Sequence, residues 1–375
     1  MFAPARAVYI HVPFCPRRCG YCNFTVVAGR PELHQAYLQA LARELQTLPG
    51  PVPVDTLYVG GGTPTQLRAQ ELSVLCRLLR TAFIPQSGYE WTVEANPDGL
   101  DRAKLDILCE AGVNRISLGV QSLQPGKLQL LERAHRAPDV LRILPLLRAR
   151  FPSVSLDLIC AVPGESLSAW QADLLAAVAL EPDHLSIYSL TFEKGSLFWG
   201  RLQRGQLQPV AEETERAMLE TAWDHLAAAG WDHYEVSNFA RPAHRSRHNE
   251  VYWRGESYWA FGPGATRYVD GWRETNHRST TTYLRRVLSG RSPVAEREKL
   301  APADRAREML VFRLRMLEGI SRVEFRQRTG LDLDDLVGVP LRKFVDLGLL
   351  QDQHGCIRLT RAGLLVSDAL WPEFL

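Results

Sequence analysis

The 375 residues carry 44 Lys and Arg against 42 Asp and Glu, a formal net charge of +2, with 46% hydrophobic and 23% charged residues. That balance is the balance of a soluble globular chain, and it excludes nucleic-acid binding driven by charge alone, the more so because the arginines are interspersed with acids. Seven cysteines with no disulfide-like arrangement suit a reducing compartment, no apolar leader precedes them, and no run approaches the roughly 20 apolar residues of a membrane span, so the cytoplasm is expected, with peripheral membrane contact left open.

In chain order, the first two-thirds alternates β-rich runs with amphipathic helical stretches. Strands are predicted over residues 8–13, 56–60, 91–94, 115–120, 154–160 and 184–190. Helices are predicted over 31–48, 66–82, 102–111, 139–150 and 168–180. Such alternation builds βαβ units on a parallel sheet. Six units predict an α/β fold, an incomplete (β/α)6 barrel over residues 1–233.

The first strand runs into Cys15-Pro-Arg-Arg-Cys19-Gly-Tyr-Cys22-Asn-Phe24, a CxxxCxxC spacing. Three thiolates on one loop can hold three irons of a 4Fe–4S cubane, for which ferredoxins use four cysteines. Three ligands leave one iron open, as a catalytic metal keeps a position for its substrate. Zinc would ask for a second ligand pair downstream, whereas Cys76, Cys109, Cys160 and Cys356 are scattered singly. The second strand runs into Gly60-Gly61-Gly62-Thr63-Pro64-Thr65, which lets backbone amides approach a ligand but lacks the ending of a phosphate-binding loop. Glu94 closes the third strand, Gln121 closes the fourth, and Asp157 lies in the fifth. In a parallel barrel such groups gather on the rim at the C-terminal strand ends. Taken singly, the glycines could be a tight turn, and Glu94, Gln121, Arg133 and Asp157 could be solvated surface groups.

The CxxxCxYC loop resembles the signature of the radical S-adenosylmethionine (SAM) proteins. The resemblance extends almost end to end, to the branch of the oxygen-independent coproporphyrinogen III oxidase. It implies a 4Fe–4S cluster on Cys15, Cys19 and Cys22, with SAM chelating the fourth iron. Tyr9, Gly61 and Glu94 would contact that SAM; Tyr21, Gly62, Thr63, Gln121, Arg133 and Asp157 match residues that hold a second SAM in the oxidase. Three features depart from the oxidase: Tyr21 and Phe24 stand where its CxxxCxFCxC has Phe and Cys, the N-terminal arm is short, and His248-Asn249-Glu250-Val251-Tyr252-Trp253 matches HNxxYW. That last motif resembles one in the haem chaperones related to the oxidase. The resemblance therefore implies haem as a ligand, apo-haemoproteins as recipients and a homodimer as a conceivable state; porphyrinogen oxidation is the alternative activity.

Residues 234–290 are rich in aromatics and arginines. A neutral imidazole at His248 is a common type of axial haem ligand, Tyr252 and Trp253 can stack on a macrocycle, and Asn249 completes the motif. Arginine forks suit propionates. The same residues read equally as loop and core. The polar stretch 291–302 predicts a linker. Beyond it, 303–375 predicts helices over 303–315, 321–329 and 340–347, then a hairpin turning at His354-Gly355, which resembles the winged-helix-like C-terminal domain of the oxidase family. Such a module suggests DNA binding, but fold does not fix function, and a lid or docking role suits the charge better.

Overall fold

The computed structural model describes residues 4–375. Six parallel strands follow the predicted order: β1 (Ala7–Val12), β2 (Val52–Gly61), β3 (Phe83–Ala95), β4 (Arg115–Gln121), β5 (Ser153–Cys160) and β6 (His184–Ser189). The outward residues of these strands are aliphatic and fully covered, among them Val8, Ile10, Ile116, Leu118, Val154 and Leu156. They pack on helices whose apolar stripes repeat at three and four residues, such as Leu72, Leu75, Cys76 and Leu79 of Ala69–Ala82. The alternate, inward residues are polar: Thr92, Ser117, Ser155, Asp157 and Ser186 line a cavity. A strand with one face on the helical layer and one on a cavity gives this period of two.

Local signals set the helix boundaries. Asp101 and Ser166 accept bonds from the Lys104 and Ala169 amides and so cap Arg102–Ala111 and Leu167–Ala179, satisfying donors that a helix start leaves free. β3 begins eight residues before its predicted start because its N-terminal part, Phe83 to Gly88, is largely exposed beyond the buried Phe83 and pairs with β2 across a bulge between Val54 and Thr56.

The chain then extends the same sheet on both edges. On one edge β7 (Asp232–Glu235) and β8 (Asn238–Ala240) add antiparallel to β6. On the other, β9 (Tyr258–Phe261) pairs parallel with β1 as a seventh parallel strand, and β10 (Thr266–Val269), β11 (Trp272–Asn276) and β12 (Val294–Glu298) continue antiparallel. β12 lies inside the stretch read as a linker. An edge strand with exposed, charged side chains has the composition of a loop, and its Arg297 and Glu298 pair with Glu274 and Arg273 of β11.

Residues 302–374 build a second core around Leu310, Leu314, Phe325, Phe344 and Ile357. Helices Pro302–Leu314, Arg322–Thr329 and Leu333–Asp346 pack beside a three-stranded sheet closed by the hairpin Leu350–Gln353 and Cys356–Leu359, a winged-helix arrangement. The third helix starts seven residues before its prediction. A kink at Val337 (φ −142°) lets Pro340 sit in the first turn of the segment beyond it, where a missing N–H costs little. No helix among the described residues is long and apolar enough to cross a membrane.

Candidate active site

A cavity of about 640 Å³ opens at the C-terminal ends of β1–β6. Cys15, Cys19, Cys22, Tyr21, Gly61, Gly62, Thr63, Glu94, Gln121, Arg133 and Asp157 all line it, so the structure brings together nearly every residue selected from sequence for the cluster and SAM. Tyr9 is the exception. Its hydroxyl donates to His11 Nδ1 at 2.9 Å behind the rim, and His11 Nε2 donates to the Thr25 carbonyl at 2.7 Å. Burial holds His11 near pKa 4, so it stays neutral and pins the far end of the cysteine loop.

A chain of hydrogen bonds joins the cysteine loop to three strands. Arg133 reaches Cys19 Sγ at 3.6 Å and Tyr21 Oη at 3.5 Å, and donates to Asn96 Oδ1 at 2.6 Å and the Gly119 carbonyl at 2.7 Å. Asn96 Nδ2 donates to Thr63 Oγ1 at 2.9 Å, and Thr63 lies 3.5 Å from Cys15 Sγ. Asn96 was not among the residues singled out from sequence, yet it is the middle of this chain. Its signal is period two: Thr92, Glu94 and Asn96 share the inward face of β3 and the turn after it.

The glycines are sterically required. A Cβ on Gly62 would meet the Val12 and Phe14 carbonyls at 2.8 and 2.7 Å, and Gly61 has φ +102° with the His11 ring 2.2 Å from its Cβ position. Gly119 leaves room for Asn96 and Gln121, which would stand 3.0 and 3.1 Å from a Cβ. Non-glycine residues take left-handed backbone at Gln121 (φ 62°), Glu132 (φ 58°) and Ala161 (φ 58°), all near the rim; each costs about 1 kcal/mol, and such strain concentrates at functional sites.

Two acids sit inside the barrel. Glu94 accepts from the Tyr58 hydroxyl at 2.7 Å and the Gly61 amide at 2.8 Å. Burial nevertheless raises its pKa to about 7. Asp157 accepts from Ser117 at 3.1 Å and is raised by burial to about 6. Both acids face a cavity where a cation would stabilise their ionised forms. In the walls, Thr92 Oγ1 and Arg133 Nε are buried without a protein partner, which suits a polar occupant.

The residues fit an iron–sulfur group. Burial pushes the Cys15 thiol up to about 11 and raises that of Cys22, so thiolates form there against bound cations. Among the described residues, no three His, Cys, Asp or Glu side chains converge on a single-ion site; the thiols stand apart on one loop facing the shared cavity.

The HNxxYW segment is divided among three environments. Its helix, Arg247–Trp253, is held at its start by Glu90, which accepts from the amides of Arg247 and His248 at 3.1 and 3.0 Å. His248, expected to face haem iron, is 1% exposed. Its Nδ1 pairs with Thr56 Oγ1 and its Nε2 with the Tyr252 hydroxyl, both at 2.8 Å, and Tyr58 stacks on its ring at 5.1 Å. Burial lowers its pKa to about 3. With both nitrogens engaged it is an internal strut in this structure and offers no lone pair to iron. Asn249 lines the floor of the barrel cavity, and Tyr252 and Trp253 face a separate cleft. Among the arginines of residues 234–290, Arg245 pairs with Asp232, Arg254 with Glu250 and Arg267 with Glu274.

Comparison with known proteins places the family. Residues 9–176 match the family model of the radical SAM superfamily, and residues 300–366 that of the HemN C-terminal domain. The chain is 34% identical to the heme chaperone HemW of Bacillus subtilis (strain 168), over 99% of both chains. It is 35% identical to the mitochondrial radical S-adenosyl methionine domain-containing protein 1 of Danio rerio, over 98% of this chain and 86% of that one. The coproporphyrinogen III oxidase HemN of Escherichia coli shares the fold, with a TM-score of 0.87 and 23% identity over 99% of this chain and 90% of that one. The chain therefore belongs to the radical SAM superfamily, in the HemW-type haem chaperone branch related to the oxygen-independent coproporphyrinogen III oxidase.

Proposed function

We propose that this chain is a haem chaperone that carries a 4Fe–4S cluster on Cys15, Cys19 and Cys22, binds SAM beside it, and delivers haem to apo-haemoproteins. The observation that carries the cluster reading is the continuous chain Cys19–Arg133–Asn96–Thr63–Cys15. It fixes two of the three thiols to strand ends and places a permanent cation beside them, where cluster and thiolates together would be anionic. When bound, the cluster supplies a one-electron donor and an open iron for the amino and carboxylate groups of SAM. The protein's own part is orientation. The Gly61–Thr63 backbone leaves close approach to the ligand, and Glu94 and Asp157 supply acceptors for a cationic one.

Haem as the cargo is supported by the names of the relatives and by the HNxxYW match. One anaerobic sample tests the whole reading. After reconstitution, iron and sulfide are measured, haem is titrated, and the protein is incubated with coproporphyrinogen III and SAM. The expected result is a cluster, saturable haem binding, transfer to an apo-haemoprotein and no protoporphyrinogen. Porphyrinogen turnover would support the oxidase reading instead.

A further inference from the structure

A parallel barrel ordinarily fills its centre with branched apolar side chains. Here the inward residues are small and polar, and the cavity runs down to the N-terminal ends of the strands, where Arg115 lines it. Arg115 opens β4 and Gln121 closes it, so the two stand about 20 Å apart along an extended strand. Arg115 is 3% exposed. Both of its side-chain hydrogen bonds leave from Nη1, to Ser153 Oγ and to the His244 carbonyl, each at 2.9 Å. Among the described residues, its Nε and Nη2 have no hydrogen-bond partner and no carboxylate forms an ion pair with it. Asp157 feels Arg115 only through space, and it accepts from Ser117 instead. A guanidinium taken out of water without a counter-charge is costly.

Three uncommitted polar groups line the same end of the cavity. Thr92 of β3 is in register with Arg115, and its hydroxyl is buried without a partner. Ser246 precedes the HNxxYW helix, yet its hydroxyl caps no amide and is likewise buried without a partner. Asn249, the second residue of the motif, makes no side-chain hydrogen bond among the described residues. The helix that carries it is held by Thr56 and Glu90, two residues before Tyr58 and Thr92 on their strands, which sets Ser246 and Asn249 at the level of Arg115. His184 stands beside them, neutral because burial disfavours its charge, with its two nitrogens taken by Ser155 and Tyr234.

We propose that the floor of the barrel is a second ligand site, specific for the carboxylate of a small organic acid: its two oxygens meet Nε and Nη2 of Arg115, while Thr92, Ser246 and Asn249 donate the remaining hydrogen bonds. A guanidinium edge offers two parallel N–H groups that match a carboxylate. Hydroxyls and a carboxamide donate without adding charge, so the floor is matched to a single negative charge. Above it the rings of Tyr58 and Tyr188 wall the passage toward the rim, which suits a short aliphatic body. The inference goes beyond the haem-chaperone reading and does not depend on it, since cluster and SAM belong to the rim and the acid to the opposite end of the barrel.

The test is calorimetric titration of the cluster-reconstituted full chain with butyrate and with butyramide, its neutral counterpart of the same shape. Butyrate should bind saturably, about tenfold or more tighter than butyramide. Arg115→Gln should weaken butyrate by about tenfold or more and erase its advantage over the amide. Arg115→Lys, which keeps the charge but not the fork, should fall between the two. Ser246→Ala and Asn249→Ala should each weaken butyrate by about threefold to tenfold. Their ligand-free unfolding midpoints should be no lower than wild type, because neither side chain makes a hydrogen bond that folding would lose. Butyrate binding indifferent to both Arg115→Gln and Asn249→Ala, equal binding of acid and amide, or no butyrate binding at all would overturn the site. Inorganic phosphate bound more tightly than butyrate would overturn the carboxylate assignment. Haem titration of the same samples reads the chaperone proposal separately, so the two failures are distinguishable.

Discussion

Glu94 gives the sharpest test of the site's electrostatics. Its carboxyl titrates near 7 instead of an ordinary 4.5, chiefly because burial disfavours the charge. Each pKa unit is worth about 1.4 kcal/mol, so holding Glu94 ionised at pH 8 costs the ligand-free fold about 3 kcal/mol. The sign follows from proton uptake. Between pH 4.5 and about 7 the folded protein holds a proton that the unfolded chain has released, so stability falls as pH rises through that window and stays low above it. Glu94→Gln removes the charge and keeps the shape. Its amide oxygen can still accept from the Gly61 amide, while the Tyr58 hydroxyl must turn to accept, a loss of about 1 kcal/mol. The cluster-free variant should therefore be about 2 kcal/mol more stable than wild type at pH 8, a rise of about 2–4 °C in the unfolding midpoint. At pH 5, where the folded-state carboxyl is already protonated, the variant should be slightly less stable. Thermal unfolding followed by circular dichroism at the two pH values reads both. A variant that melts lower at pH 8, or that shifts equally at both, would refute the buried-charge argument.

Asn96→Ala cuts the link between Arg133 and Thr63 and leaves a buried guanidinium short of an acceptor, at about 2–3 kcal/mol; iron retained after reconstitution should drop while the secondary structure persists. Gly62→Ala forces a Cβ against two carbonyl oxygens that belong to β1 and the cysteine loop, so cluster loading should fail, and normal loading would contradict the steric reading. Cys15→Ser, Cys19→Ser and Cys22→Ser should each abolish the cluster's visible absorbance. His248→Leu strands the Thr56 and Tyr252 hydroxyls and should cost about 2–4 kcal/mol. Its unfolding midpoint should fall without a change in cluster spectrum, and an unaltered midpoint would remove His248 from its role as a strut.

The rim was legible because the barrel imposes it. Each conspicuous residue followed an apolar run, and parallel strands must deliver their C-terminal ends to one side. The inner wall was less legible. Ser117, Ser155 and Ser186 look like ordinary strand serines until alternation shows that they share an inward face with Asp157. The placement of His248 was not legible for a different reason. A motif match gives residue identity but not direction, and on a two-turn helix neighbouring residues point to different places: His248 and the Tyr252 hydroxyl bonded to it into the sheet, Asn249 into the barrel, and Trp253 toward the C-terminal domain. Nothing in residues 291–302 distinguishes an edge strand from a linker, because the bonds that define β12 are made by its backbone to β11.

The central claim is an open iron on a three-cysteine cluster, and electron paramagnetic resonance tests it most directly. The reconstituted, reduced protein should show a 4Fe–4S signal whose g-values shift when SAM is added, and Cys19→Ser should show neither the signal nor the shift. A signal indifferent to SAM, or thiols filled by zinc with no iron or sulfide present, would contradict the account.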